Sequence, residues 1–515
     1  MIKERIVGKI ENTGFFATIF FLLAIIFLPA VYILGYSRGA ENFLTAEAIR
    51  AIVVSVQIGL LVTFINLIFG LPLAWAITRS KSKIAKLADN LIDLSLIVPT
   101  AALGFSIYLY WGTKMGLAQL FGLENGIFSM GPILIILLHV VFTLPYMIRS
   151  ISAAIAKIDP TYERVAATLG ANPFTAFRSV FFPLFKDGVI TGSILSFTRS
   201  LSETGATMMV AGSFLTAPVL IVGLRQAGQI PQAAGVSIFM ILAAITILFL
   251  SKFFLGGKTI SFEKAYPDFE KSLTKLKNLR NAVLILFFIF IVFLPTIYFI
   301  IFQLTDLSIS PDGGLIKSLL ISFTVAFAAT FVNLFFAIPL SYIIARNKYK
   351  LGGVFDTLNE IVLLVPTGAL GLSLFLFWRN FLPSEYIILT LAHLSFTFPL
   401  MVKPITAAFR NIPRSLQEAS YSLGAGKIET FKTILVPLLK PAIIAGSIMA
   451  FLRSLSETGA TMAVSSNIKT APILIVDLLK EGHISQAAFD CTVLFAIAII
   501  FLLILKYNKF SINNN

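Results

Sequence analysis

Apolar runs about 20 residues long recur along this chain and constrain its fold more than any other feature. Three clear examples cover residues 15–36, 51–77 and 282–304. A helix of that length crosses a hydrocarbon core about 30 Å thick, and backbone groups in lipid must form their hydrogen bonds internally. Only 13% of the residues are charged, against about 25% in a soluble domain. The sequence therefore predicts an all-α, polytopic protein embedded in a lipid bilayer.

The first apolar run follows Lys3, Arg5 and Lys9, an arrangement that also occurs in secretory signal peptides. This run is longer than the usual apolar core of a signal peptide, and further spans follow it. We therefore expect a retained helix, with a cleaved signal as the alternative. The single cysteine, Cys491, excludes an internal disulfide and a cysteine-based metal cluster. The net charge of +15 is explained more simply by basic cytoplasmic loops than by a nucleic-acid partner.

An internal duplication organises the chain. Ser55, Asn66, Pro72 and Arg79 match Ser322, Asn333, Pro339 and Arg346 at an offset of 267 residues. After a loop beyond Trp111 that is longer in the first half, the offset falls to 254. At that offset the segment 199–207, Arg-Ser-Leu-Ser-Glu-Thr-Gly-Ala-Thr, recurs unchanged at 453–461. A nine-residue identity in register with other matches predicts two homologous halves rather than two unrelated apolar regions.

Each half divides into six expected spans, which gives about 12 transmembrane helices. The first half (1–257) has spans near 15–36, 51–78, 91–111, 132–152, 188–212 and 235–255. The second half (281–515) has spans near 281–304, 318–344, 358–378, 385–405, 442–466 and 488–506. Residues 258–280 are charged and lack an apolar run, so they are expected to form a cytoplasmic linker.

The distribution of basic residues predicts the orientation of the chain. Of the 40 lysines and arginines, 30 lie in the segments that are cytoplasmic if both termini are inside, and only 8 lie in the opposite loops. Basic residues are enriched in cytoplasmic loops. We therefore expect both termini in the cytoplasm. Six spans per half then give two parallel repeats related by an axis along the membrane normal.

The longest cytoplasmic loop of each half, 149–187 and 403–440, has a repeated pattern. A short polar segment leads to Gly170 or Gly424, and Pro183 or Pro437 follows 13 residues later. The pattern predicts a short helix, a turn at glycine, and a second short helix that ends near proline. The small residues Ala166, Ala167, Ala419 and Ser420 would leave a low-relief face for another protein.

These loops resemble the Glu-Ala-Ala loop of permeases in binding-protein-dependent ABC importers. In that family the loop is the coupling helix, which sits in a groove of the cytoplasmic ATPase. The second loop keeps the family pattern with Glu418, Ala419 and Gly424. The first departs from it, because Arg164 and Val165 stand at the equivalent places and Glu163 lies one position early. The resemblance covers nearly the whole chain and implies a fused permease, a multi-pass subunit of the cell membrane. Its expected partners are a pair of cytoplasmic ATPases and an extracytoplasmic solute-binding protein.

The chain itself is not expected to be an enzyme or to bind a cofactor. Gly257-Lys258-Thr259 is similar to the end of a phosphate-binding loop, but the required first glycine is replaced by Lys252 and the segment follows a span. The sequence contains no paired acids, nucleophile–base set or metal-ligating cluster. We therefore expect ATP hydrolysis on a separate chain.

Charged residues inside the expected spans are the second functional signal. Arg199 with Glu203, and Arg453 with Glu457, are four residues apart and can pair on one helix face. Intramembrane charge usually faces water or a partner. Two interpretations stay open, a translocation path or gate lined by both halves, and an ion pair that packs helices. Gly205 and Gly459 would permit close helix approach or a kink.

Other matched residues in the spans carry weaker signals. His139 and His393 are expected to be hydrogen-bonded core residues rather than ligands. The prolines at 72, 99 and 145 recur at 339, 366 and 399 and are expected to kink spans.

The resemblance implies an importer but leaves its substrate open. The segment Ser-Glu-Thr-Gly-Ala-Thr is similar to the Glu-x-Gly-Ala segment of molybdate, tungstate and sulfate permeases, which favours an inorganic oxyanion. The fused two-half layout resembles ferric iron and thiamine permeases instead. A twelve-span secondary transporter is the alternative class. It would lack a glycine-centred coupling loop and would carry ion-coupling residues at the membrane midplane.

Overall fold

The structure of the chain is a computed structural model that describes residues 16–37, 45–80, 82–255, 277–305, 312–346 and 351–513. Within these ranges every regular element is a helix, which confirms the all-α class. Among the described residues, ten helices are long and apolar enough to cross a membrane, or eleven if one bent pair counts as a span. The expected number of twelve spans is therefore approximate, and breaks inside some spans explain the difference.

The same order of ten helices occurs in each repeat. In the first repeat they are α1 (Phe16–Tyr36), α2 (Ala46–Arg79), α3 (Lys83–Ile97), α4 (Thr100–Gly112), α5 (Pro132–Ile155), α6 (Thr161–Thr168), α7 (Pro173–Ser202), α8 (Gly205–Val210), α9 (Ala217–Gln226) and α10 (Ile230–Leu255). In the second they are α11 (Leu279–Gln303), α12 (Gly313–Arg346), α13 (Gly352–Leu364), α14 (Thr367–Trp378), α15 (Glu385–Asn411), α16 (Arg414–Ser422), α17 (Lys427–Leu455), α18 (Gly459–Val464), α19 (Ala471–Lys480) and α20 (Ile484–Asn513).

The third expected span of each repeat, 91–111 or 358–378, is not one continuous helix. Helices α13 and α14 are bent by 105° at a break before Thr367, and α3 and α4 are separated at the matching place. Pro99 and Pro366 lie at these breaks with extended ψ values of 135° and 132°. Proline removes a backbone donor and disfavours helical geometry in the preceding residue, so a long apolar run did not guarantee one helix.

The fifth expected span, 188–212 or 442–466, is also broken. Helix α7 ends at Ser202 and α17 ends at Leu455, and the short helices α8 and α18 begin at Gly205 and Gly459. Glu203 has an extended ψ of 132°, so in the first repeat the backbone leaves the helix at this acidic residue, and in the second repeat the helix ends one residue earlier, with Ser456 as its cap. The break therefore coincides with the segment that is identical in the two halves.

The prediction of a second short helix that ends near Pro183 or Pro437 was wrong. Helices α7 and α17 each contain a π-helical turn, Phe177–Phe181 or Phe431–Leu435, and then continue through the proline into the span. A π turn contains one residue more than an α turn. Proline has no backbone N–H, so it can follow the π turn without leaving a donor unpaired. Both prolines therefore lie inside long helices.

Contacts group the helices into two compact units that exchange the first span of each repeat, and the second unit also contains α9 and the first half of α10. The first unit comprises Arg50–Thr216 and Ala243–Leu307, and the second comprises Met1–Ile49, Ala217–Leu242 and Ser308–Asn515. In the first unit, Phe287 of α11 stacks on Phe69 of α2 with ring centroids 3.8 Å apart. In the second unit, Phe21 of α1 stacks on Phe336 of α12 at 4.0 Å. The repeat boundaries at 257 and 281 describe duplicated sequence and stay a prediction.

Each unit is built around its fourth span. In the first unit α5 packs against α7, and in the second unit α15 packs against α12 and α17. The expected linker, 258–280, lies outside the described residues except for its last four residues. These residues already belong to the helix that begins at Lys277.

Candidate functional site

The first coupling loop consists of α6 and the glycine turn after it. Asp159 accepts a hydrogen bond from the backbone N–H of Thr161 at 2.8 Å, and this bond lowers the pKa of Asp159 below its usual value. At the other end Gly170 has a positive φ of 81°. The Ala171 N–H donates to the Ala166 carbonyl at 3.0 Å, which closes the helix end in the manner of a Schellman turn.

The second coupling loop ends in the same way. Gly424 follows α16 with a positive φ of 89°, and the Ala425 N–H donates to the Ser420 carbonyl at 3.1 Å. A Cβ atom added at either glycine would meet nothing within 4 Å. The backbone conformation, rather than space, therefore requires glycine at both positions.

The small residues of the coupling helices divide between two faces instead of forming one. Ala167, Glu418 and Ala419 are exposed, whereas Ala166 and Ser420 are buried against their own unit. The single low-relief face predicted from the sequence is therefore wrong.

Two matched leucines that no sequence motif indicated lie beside the turns. Leu169 and Leu423, directly before the turn glycines, are 81% and 88% exposed. An apolar side chain held on the outer surface of a loop is suited to contact another protein. The sequence signal for these leucines was that each repeat has a leucine directly before the turn glycine.

An arginine at the end of the second span ties each coupling loop to the membrane part of its unit. Arg79 pairs with Glu163 at 3.1 Å and donates to the Ile158 carbonyl at 3.0 Å. At the matching place Arg346 donates to the Ile412 carbonyl at 2.9 Å. Glu163 therefore lies in an anchoring ion pair, and Gln417 stands at its place in the second loop.

The intramembrane pairs form as the spacing predicted. The Arg199 Nη2 and Glu203 Oε2 atoms are 2.8 Å apart, and the Arg453 Nη1 and Glu457 Oε2 atoms are 2.6 Å apart. The arginines also lie over the rings of Phe142 and Phe396.

The glutamates additionally cap the short helices that follow the breaks. Glu203 Oε1 accepts the Ala206 N–H at 3.2 Å, and Glu457 Oε1 accepts the Ala460 N–H at 3.0 Å. Glu203 and Glu457 are only 4% and 3% exposed, and each uses both carboxylate oxygens. Their partners Arg199 and Arg453 are 14% and 20% exposed. The carboxylates are therefore structural groups in this arrangement, while the arginines keep a small accessible surface.

The two membrane histidines bridge the helix breaks. His139 Nδ1 lies 2.7 Å from the Ser200 hydroxyl before the break, and Nε2 lies 2.9 Å from the Thr207 hydroxyl after it. His393 makes the same two bonds with Ser454 and Thr461 at the same distances. They are hydrogen-bonded core residues, as predicted, although the partners are side chains on both sides of a break.

Gly205 and Gly459 lie directly after the helix breaks, which agrees with the kink that was the second expectation for them, and close helix approach occurs at two other glycines. A Cβ atom on Gly104 would lie 2.8 Å from the Ala206 Cα, and one on Gly371 would lie 2.7 Å from the Ala460 carbonyl oxygen. Gly205 and Gly459 are buried first residues of α8 and α18. The short capped helices thus pack directly on α4 and α14.

The structure is therefore a membrane protein of two like repeats, with broken spans, buried charge pairs and two matched loops that turn at glycine. The sequence profile of the binding-protein-dependent transport system inner membrane component family matches residues 66–256 and 337–508. These residues make up more than half of the chain, and the chain belongs to this family. It is a multi-pass permease subunit of an ABC importer for a small solute.

The curated relatives of this chain are permeases named for several different solutes. The molybdate/tungstate transport system permease protein WtpB of Methanocaldococcus jannaschii is 29% identical over 246 residues, which are 48% of this chain and 96% of that protein. The sulfate transport system permease protein CysT of Salmonella typhimurium is 32% identical over 214 residues, 38% of this chain and 74% of that protein. The ferric transport system permease protein FbpB of Actinobacillus pleuropneumoniae is 21% identical over 470 residues, 85% of this chain and 68% of that protein.

Proposed function

We propose that this permease carries an inorganic oxyanion, namely molybdate, tungstate or sulfate. The observation that carries the proposal is the segment Arg-Ser-Leu-Ser-Glu-Thr-Gly-Ala-Thr, which occurs once in each repeat and resembles the Glu-x-Gly-Ala segment of oxyanion permeases. The similarity to permeases named for molybdate, tungstate and sulfate supports it. The charge pairs do not decide the sign of the solute, because each arginine is compensated by a glutamate.

Ferric iron or thiamine remains the second candidate substrate class. Its support is the relative named for ferric transport, whose match extends over 85% of this chain and so includes both repeats. The fused layout shows only that the two halves are encoded in one chain. The repeated segment lies at the helix breaks inside the membrane, so we give it more weight than the layout when we choose between the substrates.

The energy source in this proposal is a pair of ATPase subunits on separate chains. The coupling loops, with Gly170 and Gly424 as their turns, would each dock one ATPase, and Leu169 and Leu423 would supply apolar contacts. An extracytoplasmic binding protein would deliver the solute. In this scheme Arg199, Glu203, Arg453 and Glu457 hold the broken helices that border the path.

The substrate proposal is tested by reconstituting the chain with its cognate ATPase and binding protein in liposomes. We expect molybdate, tungstate or sulfate to stimulate ATP hydrolysis, because a loaded binding protein is needed to drive the cycle. Stimulation by ferric iron or thiamine, with none by the three oxyanions, would reject the oxyanion and leave the importer class intact.

The proposed orientation places both termini and the linker in the cytoplasm. In a Cys491→Ser background, Ser261→Cys in the linker should not react with an impermeant thiol reagent added to sealed, right-side-out cells. Thr305→Cys, an exposed position in a loop that the same orientation places outside, should react and serves as the control. Opening the membrane should expose Ser261→Cys to the reagent. The reverse labelling pattern in sealed cells would overturn the orientation.

A further inference from the structure

Two arginines of the second unit share one aromatic ring. The Cζ atom of Arg225, at the end of α9, lies 4.1 Å from the centroid of Phe375, and that of Arg379, directly after α14, lies 5.5 Å from the same centroid. Arg379 also donates to the Tyr36 hydroxyl at 3.2 Å. The carboxyl ends of helices and the face of an aromatic ring both favour cations, which explains how two like charges are held together.

Neither arginine forms an ion pair within 4.0 Å in the described part of the chain. The carboxylate that acts on Arg225 is Glu385, and its Oε2 atom accepts a bond from the Ser465 hydroxyl at 2.6 Å. Burial first, and then the charge of Arg379, lower the pKa of Arg225 below its ordinary value, while Glu385 acts in the opposite direction. Two positive groups therefore face one carboxylate, and the cluster keeps an excess of positive charge.

The Nε donor of Arg225 suggests that a ligand binds beside it. Its Nε atom is buried and has no hydrogen-bond acceptor among the described residues, although Arg225 as a whole is only partly buried. A buried donor without an acceptor is unfavourable, and such a group requires an explanation. The fork of a guanidinium matches the oxygens of a tetrahedral oxyanion, which would accept from Nε and the terminal nitrogens together.

The arginine pair takes one residue from each repeat, and it has no duplicated counterpart. The positions that match Arg225 and Arg379 are Leu479 and Gly112. A structural device needed by every six-span half would be expected in both copies, as the histidine bridges and the glutamate caps are. This asymmetry favours a role in binding over a role in folding.

We propose that Arg225 and Arg379 form an oxyanion site on the extracytoplasmic side of the second unit, where the solute lies after the binding protein releases it. The site rests on the proposed function, since the loops before α10 and after α14 are extracytoplasmic only in the proposed orientation. A small anion is favoured over an acidic side chain of the binding protein, because the Nε donor is buried.

The test uses liposomes that contain the full chain, the ATPase and ATP, with molybdate-loaded binding protein outside. Hydrogen bonds to charged groups contribute about 1.5–3 kcal/mol. We therefore expect Arg225→Gln to lower the maximal uptake rate about tenfold or more, with no change in the half-saturating concentration of loaded binding protein. Arg379→Gln should lower it less, because Arg379 is more exposed. Arg50→Gln removes the same charge from an exposed position outside the cluster and should behave as wild type.

A second measurement does not depend on transport. Tungstate should raise the thermal unfolding midpoint of the wild-type permease–ATPase complex and of Arg50→Gln, but not that of Arg225→Gln, because a ligand stabilises the state that binds it. Equal shifts in all three proteins, or no shift in wild type, would overturn the site. A raised half-saturating concentration of binding protein with an unchanged maximal rate would assign the arginines to protein docking instead. Failure of wild type to take up any oxyanion would reject the proposed function before a variant is compared.

Discussion

Replacing Gly170 and Gly424 together by valine is expected to abolish ATP-driven transport while the chain still inserts into the membrane. Both glycines have positive φ values, 81° and 89°, and a left-handed conformation costs about 1–2 kcal/mol for a residue with a Cβ atom. A β-branched side chain makes that conformation a steric outlier. The helix end would then rearrange, and the hydrogen bonds that fix Leu169 and Leu423 next to the turns would be lost.

The measurement is solute uptake by reconstituted liposomes, together with copurification of the ATPase. Uptake should fall by at least about tenfold, since strain of this size changes an equilibrium by a factor of that order. Gly426→Val is the matched control, because Gly426 lies in the same loop with an ordinary φ of −75° and open space around it. The single Gly424→Val should be more harmful than Gly170→Val, because only the second loop carries the family glutamate. Full uptake by the double variant would remove the coupling role.

Removing one partner of a buried charge pair should damage the protein more than removing both. Arg453→Gln leaves Glu457 buried with no cation, and an unpaired buried charge costs about 3–5 kcal/mol. The double variant Arg453→Gln with Glu457→Gln removes that charge and keeps a side-chain oxygen that can accept the Ala460 N–H. We expect a large loss of thermal stability in the single variant and partial recovery in the double variant. The Arg199–Glu203 pair should behave in the same way.

Thermal unfolding and transport must be measured together to separate the two roles of these residues. Glu457→Gln alone serves as the control for the cap, because its amide oxygen can still accept from Ala460. A single arginine variant with wild-type stability and lost transport would favour the translocation path over the structural role. A double variant less stable than the single variant would contradict the account of a compensated pair.

Features of the fold that depend on residues close together in the sequence were predicted well. Apolar length determined most spans, and the duplication predicted two like repeats. The four-residue spacing predicted the contact between Arg199 and Glu203, because residues four apart meet on a helix. Gly170 and Gly424 were correctly placed at turns, since the requirement for glycine there is a property of the backbone alone.

Features that depend on contacts distant in sequence were not predictable. Hydropathy does not report which helix a span will pack against, so the exchange of α1 and α11 between the units was not expected. The kink expected at Pro99 occurs as a break, and Glu203 caps the helix after its own break through the nearby Ala206 N–H, but the histidine that bridges that break comes from elsewhere in the fold. His139 bridges one such break through Ser200 and Thr207, which are 61 and 68 residues away. The hydrogen bond from Arg79 to the Ile158 carbonyl is a further example. The duplication identified Arg79 as a matched residue but did not indicate its partner.

Reconstitution can show whether this chain is a transport subunit driven by ATP hydrolysis on separate chains, as we propose. The purified chain would be placed in liposomes with and without the ATPase. Molybdate uptake from loaded binding protein would then be measured with ATP as the energy source, or with proton and sodium gradients instead. The account predicts uptake only when the ATPase, ATP and binding protein are all present. Uptake by the chain alone, driven by an ion gradient and unaffected by ATP, would contradict it and indicate a secondary transporter.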